Sequence, residues 1–151
     1  NPNMKVNPPL RGNRERQTLR TALADGLIDA LATDHAPHPA QAKAKGFAQA
    51  PFGVVGLETA LPLTLDLHRQ GIISALHAIG LWTSGPARLL GLDCGLLPGR
   101  PADLCLVDPT AEWNVEPKKF FSRSRNTAFA GWKMRGKVVM TLLAGKPVFS
   151  P

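Results

Sequence analysis

The sequence predicts an α/β chain that turns all-β in its second part, and three observations predict it. Residues 13–32 read as a helix, a tight turn and a short apolar strand, with ionisable groups crowded at the strand's end. Residues 56–90 carry three further helical stretches with recognisable caps. After Leu92 the pattern changes to turn-rich, extended stretches that close on a hairpin signature.

Taken in order, the first helix is predicted over 13–25. Asn13 is a plausible N-cap, Leu19, Ala22 and Leu23 share one face, and Gly26 suits the left-handed position after a helix. "LIDALA", 27–32, is an apolar run between a glycine and a polar loop, which predicts a short buried strand. Residues 35–55 hold Pro37, Pro39, Pro51, Gly46 and Gly53, and read as one long loop. A structureless stretch of that length inside a compact domain is usually functional.

A second helix is predicted over 56–69, with Gly71 after it and Pro62 either in its first turns or kinking it. A third starts at Ser74 as N-cap and runs through 82. A fourth covers 85–90, with Ser84 as N-cap and Pro86 near its start. Then "GLLPGRPADLCLVDP" leads into a strand at 103–107, "EWNVEP" is a short extended piece, and "GKVVMTLLAGKPVF" is a hairpin turning at Ala-Gly-Lys. These shifts divide the chain into residues 1–91 and 92–151.

Composition narrows the function classes. The chain has 151 residues, 44% of them hydrophobic, enough for one ordinary core. No apolar run is long enough to span a membrane. The net charge is +7, yet the cations are scattered along the chain without interleaved aromatics, which argues for a solvated surface over nucleic-acid binding. Cys94 and Cys105 have neither paired spacing nor neighbouring histidines, and read as small apolar fillers of a reduced, cytosolic protein. "NPNMKVNPPLR" reads like the interior of something longer than this chain.

The chemistry concentrates in "TDHAPH", 33–38. A carboxylate at the end of a parallel-type strand, before a functional loop, is where (β/α)8 barrels keep catalytic groups. Asp34 could bind a divalent metal or take a proton from metal-bound water. His38, past Pro37, can bend back into the same pocket, and His35 suits a supporting role behind the ligands. The same pattern also occurs as a plain surface turn, and a hydrolytic zinc needs about three protein donors. His68 and His77 fall on predicted helices and read as packing or surface groups. Two other stretches join the motif. Asn7, before two prolines, offers a donor and an acceptor on a stiff backbone. Phe52 and Gly53 expose backbone groups beside a ring.

Together "KVNPPLR", "ATDHAPH" and "APFGVVGLETALPL" resemble, in order and in spacing, the dihydroorotases of the bacterial type I class within the amidohydrolase superfamily. The tail "SRSRNTAFAGWKMRGKVVMTLLAGKPVF" is similar to the same family's closing segment, so the resemblance covers essentially the whole chain. It implies the cytoplasmic, reversible interconversion of N-carbamoyl-L-aspartate and L-dihydroorotate in pyrimidine biosynthesis. Asp34 is then a zinc ligand (Zn2+) and proton shuttle, Asn7 and His38 contact substrate, and the Phe52–Gly53 backbone holds the ring.

The resemblance further implies that 1–91 are the last third of a (β/α)8 TIM-type barrel and 92–151 the C-terminal β segment of a composite β domain. The family's His-x-His pair, its following arginine, a bridging carboxylate and two further histidines have no counterpart in this sequence. The chain alone is therefore expected to bind zinc weakly and to be inactive. The implied partners are a small-molecule substrate and either a second copy or aspartate transcarbamoylase, with no membrane. The competing readings are a non-catalytic dihydroorotase-like scaffold for that transcarbamoylase, and another cyclic amidohydrolase such as a hydantoinase or allantoinase.

Overall fold

A computed structural model describes residues 1–150. Helix α1 spans Asn13–Ala24. Its N-cap is Gly12 and not Asn13, because Asn13 already begins the helix and the Gly12 carbonyl accepts the first helical bond, from the Arg16 amide (3.1 Å). The end is as expected: Gly26 stands at φ +72° while the Leu27 amide reaches back to the Ala22 carbonyl (2.9 Å). Of the anticipated apolar stripe only Leu23 is buried, and Leu19 is exposed.

The strand predicted over 27–32 does not form. A strand exists through its ladder, and the Leu31 amide donates instead to the Leu81 carbonyl at the end of a helix (3.0 Å). What remains is one isolated parallel bridge between His35 and Val54. The long loop is not structureless either. It holds the single-turn helix α2, Ala40–Lys43, and a turn closed by the Ala50 amide on the Gly46 carbonyl (2.9 Å).

Helix α3, Leu57–Arg69, carries Pro62 in its interior and continues through it. Helix α4, Ala75–Gly80, is capped by Ser74 Oγ, which accepts from the His77 amide (3.1 Å). Helix α5, Ser84–Leu89, is capped at Thr83 and not at Ser84. Leu23, Ile73, Ala78 and Leu81 form one buried cluster among these helices. The Trp82 indole is satisfied by donating to Thr64 Oγ1 (2.9 Å).

The strands make one antiparallel sheet in the order β1-β2-β3, with β1 Leu104–Asn114, β2 Lys133–Leu143 and β3 Lys146–Phe149. The two extended pieces expected at 103–107 and after are one strand, broken by a bulge between Asp108 and Glu112. Pro109, which cannot donate to a ladder, sits in that bulge. Asp108 Oδ1 organises it by accepting from Thr110 Oγ1, the Thr110 amide and the Ala111 amide. Leu143 pairs with Lys146 across Ala144 and Gly145, both at positive φ, the backbone of a type I′ hairpin.

Sheet and helices share a second core of Val55, Val115, Phe120 and Met134, with Leu63 of α3 packed on it. Gly136 of β2 stands at φ +109°, which favours glycine, and a Cβ there would lie 2.6 Å from Leu65 Cδ1 of α3. Cys94 and Cys105 are exposed and not core fillers, since neither cluster reaches them. His68 is exposed, one of the two roles expected of it, and donates from Nδ1 to the Ile73 carbonyl (3.1 Å). Among the described residues no helix is long and apolar enough to cross a membrane.

Much apolar surface stays uncovered. The accessible area is 10196 Å². A compact monomer of 16.2 kDa exposes about 7,500 Å². Leu27, Leu76, Leu90, Leu96 and Phe121 are all more than two-thirds exposed.

Candidate active site

Two loops meet beside the His35–Val54 bridge. The Ala36 amide donates to the Val54 carbonyl (2.9 Å), and the Gly56 amide donates to His35 Nδ1 (3.2 Å). His35 thus supports the start of α3 through a backbone bond. His38 lies close to the second loop: its Nε2 meets the Phe52 carbonyl at 2.8 Å. The loops touch where Gly53 faces Ala36. A Cβ at Gly53 would sit 2.4 Å from Ala36 Cβ, and its φ of +109° suits glycine alone.

Gly53 is also tied to the chain's beginning. Its amide donates to the Lys5 carbonyl (2.9 Å), while Lys5 Nζ lies 4.6 Å from the centre of the Phe52 ring and donates to the Ala48 carbonyl (2.8 Å). Asn7 is exposed, two residues beyond Lys5. Asp34 is exposed as well, in the left-handed region at φ +45°, where Asp is tolerated better than most side chains. The structure therefore brings His35, His38, Phe52 and Gly53 together, holds Asp34 at the end of the same loop, and connects Asn7 to them only through Lys5. The Gly53 amide is thus engaged within the chain and is not free to meet a ligand.

Sequence reasoning missed four residues. Asn126 is 5% exposed, accepts at Oδ1 from the His38 amide (3.1 Å) and donates from Nδ2 to the carbonyls of Ala36 (3.0 Å) and Gly53 (3.3 Å). Its own carbonyl accepts from the Val55 amide (2.9 Å). Lys5 was seen only as the first residue of the Asn7 motif. Lys43 is buried and donates to the carbonyls of Pro2 (3.0 Å) and Pro51 (2.9 Å); burial, then the Lys5 charge, lowers its pKa. Glu58 Oε1 accepts from Ser122 Oγ (2.6 Å) and the Ser122 amide (2.8 Å). Burial works against the Glu58 carboxylate, but the Ser122 bonds, its own backbone and His35 outweigh it and hold the carboxyl below its usual value. The only available signal for Asn126 was its place in "SRSRNTAF", the stretch quoted for the closing segment.

His38, Asn126, Lys43, Asn3, Arg123 and Arg125 line a cleft of about 570 Å³ whose charged groups are all basic, suited to an anionic ligand. A larger groove of about 660 Å³ runs between α3 and the sheet, lined by Leu57, Leu61, Trp113, Phe121 and Val138 among others. Its surface is mainly apolar, with Glu58, Glu116, Lys119 and Lys137 also in its lining, and it holds neither Asp34 nor His38. Among the described residues no three His, Cys, Asp or Glu side chains converge in a way that could hold a metal ion. Asp34 is a single donor, and a metal does not fit the residues of this chain taken alone.

Known proteins are similar to this chain in sequence and fold. The profile described as "Amidohydrolase family" matches residues 4–148. The dihydroorotase of Bacillus cytotoxicus is 48% identical over 150 residues, which cover 98% of this chain and 35% of that protein. The dihydroorotase of Bacillus cereus strain AH820 is 48% identical over 147 residues, 96% of this chain and 34% of that protein. Among solved structures, the L-hydantoinase (dihydropyrimidinase) from Arthrobacter aurescens matches with a TM-score of 0.91 at 33% identity, over 99% of this chain and 35% of that one. The dihydropyrimidinase from Brevibacillus agri NCHU1002 shares the fold, with a TM-score of 0.88 at 23% identity over 98% of this chain and 34% of that one. The chain spans about a third of the length of the relatives it matches. A match that runs from Met4 to Val148, and so takes in the loops of Asp34, His38 and Gly53 together with Asn126, leaves one conclusion: the chain belongs to the amidohydrolase family.

Proposed function

We propose that this chain is the part of a dihydroorotase that carries the proton-shuttling carboxylate and the substrate loops, in the last strands and helices of a (β/α)8 barrel and its closing β segment. The observation that carries the reading is the clasp of His38, Phe52 and Gly53 around one buried Asn126, at the end of the loop that starts at Asp34. The 48% identity to proteins named dihydroorotase supports the choice of substrate. The excess of accessible surface over that of a compact monomer supports a chain that packs against further polypeptide.

In this reading Asp34 supplies one carboxylate to a zinc site whose other donors come from polypeptide beyond this chain. Zinc, when bound, would supply Lewis-acid activation. The chain's own residues do the rest. Asp34, which is exposed, would hold and pass on a proton at the ring nitrogen. Asn7 and His38 contact the polar groups of the anionic substrate, and the basic lining of the cleft favours its carboxylate. Phe52 and Gly53 form the wall against which the ring lies. The enzyme is read as cytoplasmic, alone as a homodimer or with aspartate transcarbamoylase.

A second reading, a hydantoinase-type cyclic amidohydrolase, is favoured by the fit to the Arthrobacter aurescens L-hydantoinase. A panel of L-dihydroorotate, hydantoin, dihydrouracil and allantoin, offered to the protein together with its complementary polypeptide, separates the two. Ring opening of L-dihydroorotate above all others is expected. Preference for hydantoin or dihydrouracil would replace this reading with the second.

A further inference from the structure

We propose that Asn126 is a positioning residue that fixes which ring nitrogen of His38 carries the proton. The argument starts from the Phe52 carbonyl, which can only accept. Its 2.8 Å partner, His38 Nε2, must therefore bear the hydrogen, and in the neutral ring Nδ1 is left as an acceptor. That geometry depends on two backbones staying in register. Asn126 holds both: its Oδ1 takes the His38 amide, and its Nδ2 takes the Gly53 carbonyl, next in the chain to Phe52. A third bond, to the Ala36 carbonyl, spends the second Nδ2 hydrogen. Turning the amide over would set its NH2 against the His38 N–H and its oxygen against two carbonyls, so one orientation is enforced. The residue is 5% exposed, so water does not substitute for these bonds.

His35 makes the contrast. Its Nδ1 accepts from the Gly56 amide, so the neutral ring carries its hydrogen on Nε2 and leaves that N–H as a donor. One six-residue motif thus presents an acceptor nitrogen at His38 and a donor nitrogen at His35, and only the first is under the control of Asn126. A ligand N–H or O–H can donate to His38 Nδ1 directly. A carboxylate there requires the ring to take up a second proton.

The proposal rests on the dihydroorotase reading only for the identity of that ligand, and its test needs neither metal nor substrate. Nitrogen-15 spectra of the histidine rings in the whole chain are recorded at about pH 8.5, above the ordinary histidine pKa of about 6.5. His38→Gln assigns the signal, and Asn126→Ala and Asn126→Asp remove the donors to Ala36 and Gly53. The indole N–H signals of Trp82 and Trp113, bonded to Thr64 and Gly136, report the fold.

Expected is a single Nε2–H form of His38 in the parent chain. In the variants it gives way to a mixture of the two forms, while His35 and both indoles are unchanged. A mixed or Nδ1–H His38 in the parent would overturn the proposal. So would an unchanged His38 in variants with native indole signals. Loss of the indole signals in both variants would mark Asn126 as a residue that holds the fold and not His38, and would overturn it as well.

Discussion

Gly53→Ala concentrates the geometry of the site in one methyl group. The added Cβ would sit 2.4 Å from Ala36 Cβ, while carbon atoms rest at about 3.5–4.0 Å. The two loops must part by roughly 1 Å or more to admit it. That movement stretches the Gly53–Lys5, Ala36–Val54 and Asn126–Gly53 bonds, which stand at 2.9, 2.9 and 3.3 Å. The backbone adds its own cost, because a φ of +109° is open to glycine and strains other residues by about 1–3 kcal/mol. Overpacking of this kind costs about 1–3 kcal/mol more, so a total of about 2–6 kcal/mol is expected. Urea unfolding of the chain measures it, and hydrogen exchange at the amides of Ala36 and residue 53 locates it. A midpoint within about 0.5 kcal/mol of the parent, with both amides equally protected, would refute the close approach of the two loops.

Three further outcomes follow from the same structure. Leu81→Ala removes a fully buried side chain from the helical core and should destabilise by about 2–5 kcal/mol in the same urea experiment; a change near zero would contradict the packing. Glu58 has a depressed folded-state pKa, so its contribution is present above the ordinary glutamate pKa of about 4.3 and is lost as pH falls through the lower folded value. Ser122→Ala should flatten that acid limb of the stability curve, and an unaltered limb would remove Ser122 as the cause. The chain by itself should neither retain zinc on dialysis nor turn over N-carbamoyl-L-aspartate; one equivalent of zinc with activity above background would contradict this.

The elements legible in the sequence are those specified within a few residues. Ser74 caps α4 because its hydroxyl reaches an amide three positions on, and Gly26 ends α1 because its φ is positive. The Ala144–Gly145 hairpin is equally local. Illegible features depend on distant partners. The run 27–32 has strand composition, yet Leu31 spends its amide on Leu81, fifty residues away in the chain. Pro109 divides β1 by local rules, and Asp108 with the long β2 overrides them. In the site, Asp34, His35 and His38 announced themselves by density. Asn126 could not, since each of its side-chain bonds joins it to a residue more than seventy positions earlier. Even Gly53, singled out for exposed backbone groups, has its amide engaged by Lys5.

The most direct test joins this chain to the part of the Bacillus cytotoxicus dihydroorotase that lies outside the 35% matched here. Zinc content and L-dihydroorotate ring opening are measured with and without Asp34→Asn. The expected result is a folded, zinc-loaded protein that turns over L-dihydroorotate and loses at least about a hundredfold of its rate with Asp34→Asn, the scale of a lost proton-transfer group. A folded, zinc-loaded hybrid that leaves L-dihydroorotate untouched, or keeps its full rate without the Asp34 carboxylate, would contradict the account.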